Sequence, residues 1–397
     1  MNGEVYIIMV HGTWGRGFFP TIAALVTRRP RWFQPGSGFH TGLFSELSAR
    51  QIDAQSTFVE WSGSNSFKER ELAARKVAQS IETRVQQFPN TPVLLLGHSH
   101  GGNVVSRALS NTTVDLDRIY VTTLATPFLE VFKTKLTASQ ERSLNMLFMF
   151  FFLAFVALSN FTIQQLFPEL REKNGFDLPN IAAVIGILAI ALIGATSIYP
   201  LLVRRSAAQL ALVEMISSQS GVLRVRDRRL VVRAVDDEAT LVITTGAIGT
   251  RLASLAFSII GALRPSNLVW PAIGFILEYA WWNVPRLPFG IEIYFHRIAS
   301  ILFAATFLVP LLVFLLVVFA AFFRAAYGRE LAIAGVNCEV SAHSAPDGHG
   351  LEIVTLRQSN AARRLRHYIY DEPSCGAAVA DWIAARIKND EISTGSA

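Results

Sequence analysis

Three stretches of this chain, Leu144 to Ile163, Ile181 to Val203 and Ala299 to Phe323, contain no Asp, Glu, Lys or Arg. A helix of about 20 residues is about 30 Å long, the thickness of a bilayer's hydrocarbon core. Core helices of water-soluble domains seldom run this far without a charge, so all three stretches predict transmembrane or membrane-buried helices. Bulk composition agrees, with 51% apolar residues, 17% charged residues and a mean hydropathy of +0.36.

Between the apolar stretches the pattern changes to that of an α/β domain. Val5–Val10, Thr57–Trp61, Val93–Leu96 and Ile119–Leu124 read as strands, and residues from Ser66 to Phe88 as a helix with Leu72, Val77, Ile81 and Val85 on one face. Asn103–Leu109 reads as a further helix, Leu230–Val235 and Leu351–Leu356 as later strands, and Ala377–Ile387 as a terminal amphipathic helix. Val93-Leu94-Leu95-Leu96 is apolar on both faces, as a strand inside a parallel sheet requires. The expected organisation is one discontinuous α/β domain formed by 1–130, 206–246 and 329–392. It is interrupted by a transmembrane hairpin over 144–205 and a second membrane-embedded insertion over 247–328.

Gly97-His98-Ser99-His100-Gly101 follows the apolar strand and precedes a helix. A Gly-x-Ser-x-Gly turn between strand and helix lifts a serine clear of the sheet on a turn whose neighbours have no room for Cβ atoms. Ser99 is therefore the candidate nucleophile. An acyl-transfer site also needs two backbone N–H groups aimed at the developing oxyanion. His100, directly after the serine, supplies one. Thr13, in the His11-Gly12-Thr13 loop after the first strand, supplies the other, and His11 reads as a turn-holding residue. A carboxylate is expected on a loop after a later strand and a histidine last in chain order. Leu230–Val235 runs into Asp236-Asp237-Glu238, so Asp237 is the expected acid, with Asp236 its rival and helix capping the alternative role. Among His343, His349 and His367, the first two sit in a stretch of turn residues, and His367 is the expected base. No group of His, Cys and acidic residues has metal-ligand spacing, and no cofactor is called for.

These pieces together resemble the α/β-hydrolase superfamily, in particular its lipase- and esterase-like bacterial and fungal members. The resemblance covers residues 7–127, 228–241 and 364–383. It rests on His11-Gly12-Thr13-Trp14, Phe58-Val59-Glu60-Trp61-Ser62-Gly63-Ser64-Asn65, Gly97 to Asn103, Asp237-Glu238-Ala239 and Leu365-Arg366-His367. It implies an α/β-hydrolase fold, a mostly parallel sheet flanked by helices, here with membrane-embedded helical hairpins inserted. It also implies a Ser99–His367–Asp237 triad, and a loop at Ser62–Asn65 near the site mouth. The implied activity is that of a serine esterase or lipase, acting on an ester-like bond of a lipid or other apolar acyl substrate. A catalytically silent, membrane-anchored interaction module and a transporter with a regulatory soluble part are the competing classes.

The expected partners are membrane lipids and an apolar ester, not nucleic acid. The basic clusters Arg28-Arg29-Pro30-Arg31 and Arg224, Arg226, Arg228, Arg229 suit anionic headgroups or a solvated surface. Cys338 and Cys375 suggest no disulfide framework, so a reducing compartment is expected. Met1-Asn2-Gly3-Glu4 leads into a strand without the basic and apolar regions of a secretory signal. A shared site demands an even number of crossings between Ser99 and Asp237, and again between Asp237 and His367. The region Leu252–Trp282, with Trp270, Trp281 and Trp282 near an interface, is the expected partner of the 299–323 span. Lys133, Lys135, Arg142, Arg204, Arg205 and Arg324 flank the spans on the enzyme side. They predict an integral membrane protein whose catalytic side faces the cytoplasm, as in a bacterial inner membrane.

Overall fold

The computed structural model describes residues 3–13, 30–133, 207–213, 227–234, 238–262, 308–309, 311–334, 338–346, 350–357 and 368–395, with the single positions 137, 138, 142 and 225. The stretches 144–163 and 181–203 lie outside these residues, as do 263–282 and the first part of 299–323. Among the described residues no helix is long and apolar enough to cross a membrane.

Six strands form the central sheet: β1 (Gly3–Val10), β2 (Ile52–Val59), β3 (Val93–His98), β4 (Ile119–Leu124), β6 (Arg229–Ala234) and β8 (Leu351–Leu356). Their order is β2-β1-β3-β4-β6-β8, and every pairing is parallel. All C-terminal strand ends therefore leave by one edge. β3 and β4 are buried at every residue, which is what apolarity on both faces of a central strand brings about.

Helices cover the two faces. On one, Ile7, Met9, Leu94, Leu96 and Val232 pack against α1 (Gly38–Ala49) and the terminal helix α6 (Pro373–Gly395). On the other, Ile8, Val10, Leu95 and Val121 pack against α2 (Phe67–Gln87) and α3 (His100–Asn111). This is an α/β fold with a parallel six-stranded sheet flanked by helices. α2 begins on Ser66, whose hydroxyl accepts from the Glu69 N–H at 3.3 Å, the capping expected of Ser-x-x-Glu.

Several sequence expectations need correction. Leu72 is 46% exposed, because at 100° per residue it lies well off the line through Ala73, Val77 and Ile81 that faces the sheet. The second strand runs from Ile52 to Val59 and stops before Trp61. α1, which buries Phe39, Leu43 and Leu47 along one face, adds a helix to those expected from the sequence. His343 is not in a turn but ends β7 (Cys338–His343), which pairs antiparallel with β5 (Phe128–Lys133) in a separate two-stranded sheet. Of the second basic cluster, Arg229 is buried, and Arg228 is tied to Asp390 at 3.2 Å and Asp117 at 3.8 Å.

α4 (Glu238–Ala262) is one continuous helix. It packs beside a helix over 311–324. Gly246 leaves room for the Tyr327 ring, and Gly249 lies close to Phe323 and Ala320. α4 also touches the two-stranded sheet, with Thr250 Oγ1 donating to the Val340 carbonyl at 3.3 Å. Away from these contacts the pair presents Leu255, Leu312, Phe319 and Phe322 outward, Phe322 at 72% exposure. Arg324 ends the 311–324 helix but is buried near Cys338 Sγ at 3.9 Å, so it is not the surface flank its position suggested. α5 (Arg329–Ala334) follows and leads to β7.

Candidate active site

β3 ends at His98, and α3 starts at His100, leaving Ser99 alone to reverse the chain. It does so at φ 54°, ψ −133°, a conformation that side-chain-bearing residues adopt only where the surroundings hold them there. Two backbone bonds do so: Ser99 N–H donates to the Leu124 carbonyl at 2.8 Å, and Gly102 N–H donates to the Ser99 carbonyl at 3.0 Å. A Cβ at Gly97 would lie 2.7 Å from the Gly101 carbonyl oxygen, and one at Gly101 would strike the Val10 carbonyl. The two glycines of the motif are therefore demanded by close backbone approach. The strained serine thus sits between a buried strand and a helix N-terminus.

Around Ser99 the loop after β1 closes in. Gly12 lies so near that a Cβ there would be 2.6 Å from Ser99 Cβ and 2.7 Å from the His98 carbonyl oxygen. Thr13 comes next in the chain. His11 is fully buried, stacked between Phe33 at 5.1 Å and Trp61 at 5.5 Å, with Nδ1 2.9 Å from the Gly12 carbonyl oxygen. His100 holds the first position of α3, where backbone N–H groups have no intrahelical acceptors. Its ring nitrogen Nδ1 is 3.3 Å from Asn103 Nδ2, which donates to the Pro127 carbonyl at 2.8 Å.

Asp236, Asp237 and His367 lie outside the described residues. The elements that lead to them are described. β6 ends at Ala234, on the sheet edge where β3 ends. α4 starts at Glu238, so in sequence Asp237 directly precedes a helix. The chain is described again from Tyr368, and the 3₁₀ turn Ile369–Asp371 brings Tyr370 against the elbow. The Tyr370 ring stacks on Trp32 at 5.2 Å and meets the His98 ring edge-on at 4.8 Å. Burial pushes the Tyr370 phenol far above its ordinary value, with Tyr368 and Asp371 adding to it, so the group stays neutral beside His98. His343 is exposed, with Nε2 2.7 Å from Ser341 Oγ.

Nothing in the sequence singled out Trp32 or Tyr370, because their contact joins residues more than 300 positions apart. Asn103 stood in the motif but without a visible role. A groove beside α2 is lined by Trp61, Glu69, Leu72 and Lys76. No group of His, Cys, Asp and Glu among the described residues could hold a metal ion.

No protein-family model matches this chain, and no curated protein matches it. Among solved structures it is similar to a cutinase-like protein from Cryptococcus sp., at 16% identity and a TM-score of 0.23. The match covers 34% of this chain and 57% of that one.

Proposed function

We propose that the chain is a membrane-anchored serine hydrolase that cleaves an ester-like bond of a lipid or other apolar acyl substrate. The observation that carries this reading is the strained turn at Ser99, held between a buried parallel strand and a helix N-terminus. Ser99 Oγ attacks the carbonyl carbon while His367 takes its proton, and the N–H groups of Thr13 and His100 receive the oxyanion. His367 then protonates the leaving alcohol, Asp237 holds the imidazole in the required tautomer, and water releases the acid from the acyl-enzyme.

The sheet order supports this assignment. β6 is two strands from β3, about 10 Å across the sheet. Two hydrogen bonds of about 2.8 Å with an imidazole between them span about 8 Å. A carboxylate leaving the end of β6 thus suits a serine leaving β3, with a histidine between them. The segment that follows His367 packs on His98, next to the serine, which favours that histidine over His343.

Membrane anchoring rests on the uncharged stretches and on the outward-facing apolar residues of α4 and the 311–324 helix, a surface too apolar for water to solvate cheaply. We place the catalytic side in the cytoplasm from the positive charges that flank the spans. Labelling of the full chain by a fluorophosphonate tests the reading. Wild type should be labelled and Ser99→Ala should not. Equal labelling, or none of the wild type, would favour a silent interaction module.

A further inference from the structure

The segment Trp61–Asn65, between β2 and α2, is gripped at both ends. At the first, the Trp61 indole N–H donates to the His11 carbonyl at 2.8 Å and its ring stacks on the imidazole. His11 leads directly to Gly12, which touches the Ser99 turn, and to Thr13. At the other end, Asn65 Nδ2 donates to the carbonyls of Ala325 at 2.9 Å and Ala326 at 3.0 Å. These carbonyls lie in the turn that directly follows the 311–324 helix, where the Ala325 carbonyl also accepts from the Gly328 N–H at 3.2 Å. The Asn65 carbonyl in turn accepts from the Arg329 N–H at 3.0 Å.

This second grip is itself braced. Asn65 Oδ1 accepts from Arg70 Nη2 at 2.6 Å, and the same nitrogen donates to the Tyr327 carbonyl at 2.7 Å. Glu330 accepts from the Ser66 hydroxyl and from the Phe67 N–H at 3.0 Å. Burial disfavours the charged form of Glu330, but these donors outweigh it and hold the carboxyl below its ordinary 4.5. All of these groups converge where the apolar helix returns to the α/β body.

We infer that Trp61–Asn65 is a strut, and that Trp61 and Asn65 are positioning residues for the loop carrying the Thr13 N–H. The inference rests on the hydrolase reading. An oxyanion donor must sit within a fraction of an ångström of its place, and the loop, which meets the elbow at His11 and Gly12, needs bracing from outside to keep it there. The strut supplies it by fixing the His11 carbonyl from outside and taking its own footing on the end of the apolar helix. Movement of that helix end is thereby transmitted to the oxyanion loop.

The test uses the full chain in detergent, p-nitrophenyl butyrate as probe, and rates normalised to fluorophosphonate-titrated sites so that unfolded protein does not count. Trp61→Phe keeps an aromatic ring and removes the N–H. Asn65→Asp keeps the shape and the acceptor for Arg70 but cannot donate to the two carbonyls. Each should lower kcat about tenfold or more with KM within about twofold. The double variant should lose little beyond the worse single, because the two act through one strut. Wild-type kcat in both, a loss confined to KM, or losses that multiply in the double variant would overturn the inference. Should Asn65→Asp melt below the assay temperature, Trp61→Phe alone decides. Turnover that survives Ser99→Ala would instead remove the hydrolase reading, and the strut's reaction with it.

Discussion

Gly12→Ala is the sharpest probe of how the β1 loop meets the nucleophile. The added Cβ would lie 2.6 Å from Ser99 Cβ and 2.7 Å from the His98 carbonyl oxygen, whereas ordinary van der Waals contact begins at 3.4 Å. Neither neighbour is the free end of a flexible side chain. One is the root of the nucleophile, and the other is backbone pinned in the central strand. The loop must therefore retreat by about 0.8 Å, carrying the Thr13 N–H away from the oxyanion position. Overpacking of this kind costs about 1–3 kcal/mol of stability, which a folded domain of ordinary stability tolerates. A displacement near 1 Å in a reacting constellation costs about 100-fold in rate, or about 2.7 kcal/mol of transition-state stabilisation. Gly12→Ala should accordingly keep its fold by circular dichroism, with kcat/KM on p-nitrophenyl butyrate about 100-fold down. Wild-type turnover in a folded Gly12→Ala protein would refute the argument that this loop, seated on the elbow, supplies an oxyanion donor.

Further outcomes follow from the same structure. Ser99→Gly should abolish turnover yet be about 1 kcal/mol more stable than Ser99→Ala in thermal melts, since only glycine relieves the positive φ; equal stability would contradict the strain. Asp237→Asn separates catalysis from capping, because Asn caps a helix as well as Asp. Turnover should collapse while the melting curve stays put, whereas Asp236→Asn and His343→Ala stay mild; retention of activity in Asp237→Asn would exclude it as the triad acid. Glu330, its carboxyl held below 4.5, contributes stability that is present above that value and is lost as pH falls through the lowered one. Glu330→Gln should flatten the stability curve in that acid range, and an unchanged curve would show that the carboxylate is not what titrates. Single cysteines at the exposed positions Asp115 and Asp381 should resist an impermeant thiol reagent in intact cells while one near 174 reacts. Buried Cys338 and Cys375 give little background, and opposite labelling of 115 and 381 would contradict a shared catalytic side.

Much of the framework could be read from the chain alone. Runs that are apolar on both faces can be satisfied only inside a sheet covered on both sides, so β3 and β4 were legible, and Ile119–Leu124 and Leu351–Leu356 match the described bounds. The 3.6-residue pattern from Ser66 to Phe88 announces α2, and the glycines around Ser99 announce a turn no larger residue could make. These are local demands, set by neighbours in sequence. What depends on distant partners was not legible. β5 and β7 are short segments far apart in sequence, and form a sheet only by pairing Phe128 with His343. Leu72 is exposed because the line of helical positions that meets the sheet is settled by docking, not by hydrophobicity. Arg324 and Arg229 look like surface charges until the fold buries them. Most of all, the meeting of Trp61 with His11, of Asn65 with the end of the apolar helix, and of Tyr370 with His98 joins groups 50 to more than 250 positions apart. Hydrogen bonds and ring contacts act over a few ångströms, so only the folded chain, by bringing those segments together, decides which of its polar and aromatic residues surround the serine.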